Sequence, residues 1–298
     1  MSKEFLQYER VLTMSNFILS AFADEIDQDL KTQMNVLDEH GIKHIEMRGV
    51  NGKTLVDYDL DEVREIKRQL DERGFKLSAV GSPIGKIQIT DEFDEHLDKF
   101  KHTLEVAKIM EAPYIRMFSF YIPKGDDRAQ HRDEVLRRWE AFIEAAQNYN
   151  VILLHENETG IYGDTPENCY DLLSSLDSDK VKGIFDFANF VQCDSKIYPD
   201  AFRLLKDYIV YIHIKDAVYD GHHVVPAGQG DGQVKEVLQE LYNDGFEGFL
   251  SLEPHLWDFD GFDQLEEDSP GFLLDEGGPK SFAIAVQALK QLLDEIEK

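Results

Sequence analysis

The chain has little cysteine and no long apolar run. Cys169 and Cys193 are its two cysteines, and they form no CxxC pair. We therefore expect no disulfide framework, and we expect the protein to be located in the reducing environment of the cytoplasm. No stretch reaches the roughly 18 consecutive apolar residues of a membrane span, and the N-terminal residues lack the apolar core of a signal peptide. We expect no association with membranes.

Basic residues are scarce relative to acidic ones. The chain has 31 Lys and Arg against 59 Asp and Glu, a formal charge of −28. A surface this acidic repels nucleic-acid phosphates, so we expect no nucleic-acid partner. No linker rich in Gly, Pro or Ser divides the 298 residues, of which 42% are hydrophobic. This composition is typical of one large globular domain.

Eight short β-rich runs alternate with helical patterns. The runs lie at 17–23, 43–48, 76–81, 114–120, 151–156, 182–187, 208–214 and 248–253. Between them, apolar residues at helical spacing predict helices; one ends at Gly74, and another has Pro166 in its first turn. Eight strand–helix repeats predict an α/β fold, a single (β/α)₈ barrel.

We assign residues 15–298 to this barrel and residues 1–14 to an N-terminal extension. The longest irregular stretch, 254–279, is rich in Gly, Pro, Asp and Phe. It is interpreted either as a lid over the mouth of the barrel or as a long packing loop.

Ionisable residues end the last four predicted strands. These residues are Glu156, Asp186, His213 and Glu253. In a barrel of this class the carboxyl ends of the strands meet at one mouth, and a carboxylate at the end of a buried strand is costly unless it is paired or bound to a metal. Three carboxylates and one imidazole form a hard, oxygen-rich set. The sequence therefore predicts one divalent metal ion, Mn²⁺ in preference to Mg²⁺, Co²⁺ or Zn²⁺.

Seven segments carry a resemblance to a known family. The sequence resembles the xylose isomerase-like barrels, and within them the sugar phosphate isomerase/epimerase group, over residues 17–293. The segments are SAFADEI (20–26), HIEMR (44–48), GSPIGK (81–86), HENETGIYGDTPE (155–167), FDFANF (185–190), HIKD (213–216) and LEPH (252–255). In that family the Glu, Asp, His and Glu of the last four strands hold the metal.

The resemblance implies proton transfer on a carbohydrate. Glu156 and Glu253 would act as the catalytic pair, removing and returning a proton alpha to a carbonyl through a metal-stabilised enediolate. The expected activity is isomerisation or epimerisation of a sugar, sugar phosphate, keto-sugar or cyclitol. Two alternatives stay open: a metal-dependent dehydratase or lyase of an oxidised sugar or inosose, and a non-catalytic sugar-binding barrel.

Further candidates lie at or near the same mouth. Lys215 follows His213 by two residues and so faces the same side of its strand, and Lys86 ends the SPIG turn. Glu46 and Arg116 form a possible structural pair inside the barrel. The residues expected to bind substrate are Lys86, Glu158, Tyr162, Asn189, Lys215, Arg48 and Arg116, and those expected behind the metal ligands are His255 and Asp216.

One departure from the wider family bears on the number of metal ions. Asn189 stands where many relatives carry a histidine, and the ends of the third and fourth strands offer Ser82, Ser119 and Tyr121 but no histidine. A three-metal cluster of the kind found in related DNA-repair nucleases is therefore not expected. We expect a single ion, a small-molecule partner, and assembly as a homodimer or homotetramer.

Overall fold

The computed structural model describes residues 17–256 and 277–298. Its main strands are β1 (Phe17–Ala21), β2 (His44–Met47), β3 (Lys76–Val80), β4 (Tyr114–Met117), β5 (Ile152–Glu156), β6 (Val181–Asp186), β7 (Ile209–Ile214) and β8 (Gly248–Leu252). The helices are α1 (Leu30–His40), α2 (Leu60–Glu72), α3 (Asp94–Met110), α4 (Arg132–Ala146), α5 (Pro166–Leu176), α6 (Phe187–Gln192), α7 (Phe202–Leu205), α8 (Val234–Asn243) and α9 (Pro279–Ile296). The eight strands predicted from the sequence are confirmed, with ends that differ by a few residues.

Two of the predicted segments lie largely outside the residues that the structure describes. The predicted N-terminal extension, 1–14, and most of the predicted lid, 254–279, lie outside the described residues. Within the part of the chain that the structure describes, no helix combines the length and apolar character needed to cross a bilayer.

The main strands form one parallel sheet in the hydrogen-bonded order β1-β8-β7-β6-β5-β4-β3-β2. β1 and β2, at the two ends of this order, lie against each other, so the sheet curls into a nearly closed barrel. Successive helices pack side by side around it, as in the pairs α2 with α3 and α4 with α5. The fold is therefore the predicted single-domain (β/α)₈ barrel.

Local sequence signals fix the helix ends. Asp59 caps α2 in a reciprocal capping box with Glu62, and Gly74 follows that helix at φ +70°, a conformation that glycine adopts without steric cost. Thr165 accepts a hydrogen bond from the backbone N–H of Asn168 at the start of α5, and Pro166 occupies the first turn. Both predicted helix boundaries are confirmed.

Inward-facing side chains alternate along each strand, which divides the barrel interior into layers. Tyr211 packs with Ala79, Leu154 and Ile184 in a buried apolar cluster. His213 lies two residues beyond Tyr211 and therefore faces the same interior at a higher level. The apolar layer thus supports a polar layer at the carboxyl ends of the strands.

Candidate metal centre

Four ionisable side chains form the centre of the polar layer. Glu156 and Asp186 end β5 and β6, His213 is the next-to-last residue of β7, and Glu253 directly follows β8. Each is exposed by 2% or less. One nitrogen or oxygen atom from each lies within 4.8 Å of the others, a grouping that could hold a metal ion. The structure brings together the four residues that the sequence analysis singled out.

His213 lies at the middle of this group. Its Nδ1 atom is 2.9 Å from Glu156 Oε1, 3.3 Å from Glu253 Oε2 and 3.6 Å from Asp186 Oδ2. Three carboxylates therefore converge on one imidazole nitrogen. Asp186 pairs in register with His213 across β6 and β7, which fixes how closely these two side chains approach.

Glu46 lies behind the imidazole ring. His213 Nε2 is 3.1 Å from Glu46 Oε2, and both side chains are fully buried. Burial lowers the pKa of His213, but the negative charges of Glu156 and Glu46 outweigh it and raise the pKa well above its ordinary value. A carboxylate that accepts the Nε2–H directs Nδ1 towards the other three residues. Arg116, the expected partner of Glu46, is more distant, with Nε 4.0 Å from Glu46 Oε1.

Two buried oxygen atoms without hydrogen bonds indicate that the four residues could hold a divalent cation. Asp186 Oδ2 and Glu253 Oε2 are buried and accept no hydrogen bond from the described residues. Leaving such oxygens without a hydrogen bond is costly, and the Lys215 ammonium, at 3.3 and 3.5 Å from them, offsets part of that cost. Both face His213 Nδ1, so one ion placed among these atoms would satisfy them together. Three carboxylates with one imidazole are donors that Mn²⁺ and similar ions accept.

Two arginines hold the outer oxygens of the two glutamates. Arg116 Nη1 donates to Glu156 Oε2, and Arg48 Nη1 donates to Glu253 Oε1, each at 3.2 Å. Burial raises the pKa of Glu156, but His213 and Arg116 outweigh it and lower that pKa to about 2. Each glutamate thus has one oxygen held by a guanidinium and the other directed at His213. The predicted contact of these arginines with substrate stays a prediction.

The turn after β1 supplies two acidic residues that the sequence analysis did not select. Asp24 accepts two hydrogen bonds from Arg48, at 2.7 and 3.2 Å. Glu25 Oε2 accepts the backbone N–H of His255 at 2.8 Å. Burial raises the pKa of Glu25 to about 7 against the lowering effect of His255 and Arg48. The available signal was the ADE sequence placed directly after the first strand.

His255 lies beside Glu253. Its Nε2 atom is 3.5 Å from Glu253 Oε1 and 3.4 Å from Glu25 Oε1. Glu25, Glu253 and His255 form a second group of possible metal ligands among the described residues. The guanidinium of Arg48 already contacts both carboxylates, so an internal cation lies beside this second group.

Lys215 and Asp216 are adjacent but face opposite ways. Lys215 Nζ lies 3.3 Å from Asp186 Oδ2 and 3.5 Å from Glu253 Oε2, so the lysine belongs to the centre. The Asp216 carboxylate instead accepts backbone N–H groups of the loop at 228–232. The expectation that Asp216 stands behind a metal ligand is corrected: it anchors this glycine-rich loop, because alternate residues of an extended segment face opposite sides.

Lys86 and Glu158 form a largely buried ion pair. Lys86 Nζ is 2.8 Å from Glu158 Oε2, and their side chains are 12% and 14% exposed. Glu158 lies two residues beyond Glu156, and the ion pair in which the structure places it is with Lys86. The predicted contact of the pair with substrate is not tested by this geometry.

Asn189 and Tyr162 have structural hydrogen bonds. The backbone N–H of Asn189 donates to Asp186 Oδ1, and its side chain donates to the carbonyl of Asn157. The Tyr162 hydroxyl donates to Asp171 on α5 at 2.7 Å. Asn189 thus orients a candidate ligand, and Tyr162 is hydrogen-bonded to the helical layer. The predicted contact of both side chains with substrate stays a prediction.

The ends of β3 and β4 contribute no histidine to the centre. Ser82 donates to the carbonyl of Arg116, while Ser119 is hydrogen-bonded to His155 and to the backbone N–H of Gly163. These hydroxyls connect the loops that follow the strands. In the described residues, the groups able to hold a metal are the two given above, neither of which resembles a three-metal cluster.

The comparisons with known proteins agree with this architecture. The family model described as xylose isomerase-like TIM barrel matches residues 34–295. A search of curated protein sequences found no significant match. Similar solved structures include the probable 3-DHS dehydratase AsbF from Bacillus anthracis, 19% identical, with a TM-score of 0.67 over 79% of this chain and 92% of that one.

Two other solved structures cover more of the chain. The 3-keto-D-glucoside 4-epimerase YcjR from E. coli is 16% identical, with a TM-score of 0.65 over 93% of this chain and 98% of that one. The IOLI protein with a bound zinc atom is 16% identical, with a TM-score of 0.71 over 94% and 99%. At these identities the likeness establishes the fold, and the neighbours are mostly enzymes. Together with the family match, it shows that the chain belongs to the xylose isomerase-like TIM barrel family.

Proposed function

We propose that this protein is a divalent-metal-dependent carbohydrate isomerase or epimerase. The observation that carries the proposal is the convergence of Glu156, Asp186, His213 and Glu253 in one buried centre. Mn²⁺ is the ion we propose, because most of the donor atoms are carboxylate oxygens. The substrate would be a small carbohydrate with a carbonyl group. The cytoplasmic location and the homodimer or homotetramer remain predictions.

The two glutamates suit the proton transfers. When bound, the ion would act as a Lewis acid that makes a proton alpha to the substrate carbonyl easier to remove. Glu156 and Glu253 come from β5 and β8 and flank Asp186 and His213, so they would meet the substrate from different directions. One would take the proton and the other would return it. Arg116 and Arg48 would hold the two carboxylates in place through their outer oxygens.

A dehydratase or lyase is the second candidate, and Lys215 favours it. Its ammonium lies 3.5 Å from Glu253 and could give a proton to a departing hydroxyl group after the same first step. A non-catalytic sugar-binding barrel is the weaker alternative, because the chain keeps all four candidate ligands in one centre.

Metal analysis and solvent exchange test the proposal. The purified protein, reconstituted with Mn²⁺, should hold about one ion per chain. In D₂O, a panel of ketoses, inososes and 3-keto-sugars should include one that gains deuterium at a single carbon. Glu156→Gln and Glu253→Gln should each abolish that exchange, whereas Glu140→Gln, at an exposed position of α4, should not.

The outcomes separate the candidates. Loss of water from the product identifies the dehydratase. Binding of a sugar with neither exchange nor water loss identifies the non-catalytic barrel. Absence of bound metal after reconstitution would show that the assignment of the centre is wrong.

A further inference from the structure

A rigid turn places Lys86 at the mouth. Gly85, immediately before it, has φ +94°, and a Cβ atom there would lie 2.1 Å from the carbonyl oxygen of Phe118. The Gly85 N–H donates to His96 Nε2 at 2.8 Å, and the Phe118 N–H donates to the carbonyl of Ile84 at 2.8 Å. Only glycine fits this turn without strain. The position of Lys86 is therefore fixed by the backbone around it.

Contacts connect Lys86 to the metal centre. Its Nζ atom lies 4.5 Å from the centre of the Phe118 ring, and the Arg116 guanidinium lies 5.1 Å from the same ring. Arg116 in turn donates to Glu156. Glu158, the partner of Lys86, follows Glu156 by two residues and so extends from the same strand end. The Lys86–Glu158 pair therefore lies beside the centre without belonging to it.

The other cations of the mouth are already neutralised by carboxylates. Arg48 is paired with Asp24, Arg116 with Glu156, and Lys215 with Asp186, as the distances above show. The segment 257–276 contains no Lys, Arg or His. Burying an anionic substrate group requires a positive charge or several directed donors. In the described residues, each cation of this mouth is balanced by a neighbouring carboxylate.

The backbone donors of the glycine-rich loop are also in use. In many (β/α)₈ barrels a phosphate binds to the loops after strands 7 and 8. Here the N–H groups of Gly228, Gly230 and Gly232 donate to the Asp216 carboxylate at 2.8–3.0 Å. An internal carboxylate thus takes the place that a substrate phosphate would need among these donors.

We propose that Lys86 and Glu158 form a subsite that binds a hydroxyl group in an uncharged, non-reacting part of the substrate. A hydroxyl group both donates and accepts a hydrogen bond, and an ammonium 2.8 Å from a carboxylate oxygen offers one acceptor and one donor side by side. The substrate class is therefore a neutral polyol, neither phosphorylated nor carboxylated. This inference rests on the proposed function for the reacting end of the substrate.

The test measures binding and exchange on the full chain loaded with Mn²⁺. Calorimetry compares neutral ketoses, inososes and 3-keto-sugars with their phosphate esters and uronate counterparts, and inorganic phosphate is added as a competitor. Lys86→Met and Glu158→Gln are compared with Lys235→Met, which removes a lysine from the exposed Lys235–Glu295 pair. Metal content and melting temperature confirm that each variant is folded.

We expect a neutral polyol to bind and inorganic phosphate not to compete with it. Lys86→Met and Glu158→Gln should each weaken binding of the polyol by about tenfold or more, because each loses a charge-assisted hydrogen bond. Lys235→Met should bind as the wild type does. Tighter binding of a phosphate ester or uronate, or unchanged affinity in folded Lys86→Met protein, overturns the subsite, as does failure of every neutral polyol to bind. A polyol that binds through Lys86 and Glu158 without deuterium exchange supports the subsite and refutes the isomerase.

Discussion

Replacement of Glu46 by glutamine tests whether the carboxylate behind His213 prepares the metal centre. Glu46 Oε2 lies 3.1 Å from His213 Nε2, and neither side chain is exposed. Glutamine keeps the shape of the side chain but removes its charge. Loss of such a partner typically weakens metal binding about 10- to 100-fold, or about 1.4–2.7 kcal/mol. We expect Glu46→Gln to weaken Mn²⁺ binding by this factor.

The pH dependence sharpens this prediction. The surrounding carboxylates raise the pKa of His213 well above its ordinary value, so metal binding must displace a proton. The substitution removes one of these charges and lowers that pKa, which lessens competition by protons. The deficit in affinity should therefore be smaller at about pH 6 than at about pH 8.5, because protons compete more strongly for the wild-type imidazole than for that of the variant.

Isothermal titration calorimetry with Mn²⁺ at the two pH values measures both effects. Titrations in buffers of different ionisation enthalpy count the protons released, which should be fewer in the variant. Glu140→Gln, on the exposed face of α4, serves as the control for a lost surface charge. Affinity within twofold of the wild type at the higher pH would refute the role assigned to Glu46.

Three further predictions concern stability. Gly85→Ala should lower the melting temperature far more than Gly125→Ala: both glycines have positive φ, but only at Gly85 would a Cβ atom collide with Phe118. Burial lowers the pKa of His96 to about 4, so the neutral imidazole is favoured in the folded protein and its contribution to stability is fully present above about pH 6.5. As the pH falls towards about 4, the free energy of unfolding should decrease by about 2 kcal/mol, after allowance for partial exposure. Urea unfolding should show a smaller decrease with acid in His96→Gln, and an equal dependence on pH in the two proteins would contradict this. Removal of the metal with a chelator should lower the melting temperature and re-addition of Mn²⁺ should restore it; an unchanged melting curve would argue against the site.

Much of the architecture followed from local patterns. Eight short apolar runs alternating with helical periodicity are enough to predict the barrel, and Asp59, Gly74 and Pro166 fix helix ends through local hydrogen bonding and backbone conformation. The four candidate ligands could be found in the same way. Parallel strands bring their carboxyl ends to one mouth. The position of an ionisable residue at the end of a run is therefore enough to predict the end of the barrel at which it lies.

The partners of these residues depended on the tertiary structure. The pairing of Glu46 with His213 joins β2 to β7, and the pairing of Lys86 with Glu158 joins the loops after β3 and β5. Asp216 was assigned to the centre from its sequence neighbours, yet its side chain faces the glycine-rich loop. Strand register, barrel closure and loop path decide such contacts between distant segments. The sequence by itself determined which residues at the strand ends face the mouth, because the two-residue period of a strand is local. Only the folded barrel decided which of them meet and which loop residues join them, because that depends on how distant strands are aligned.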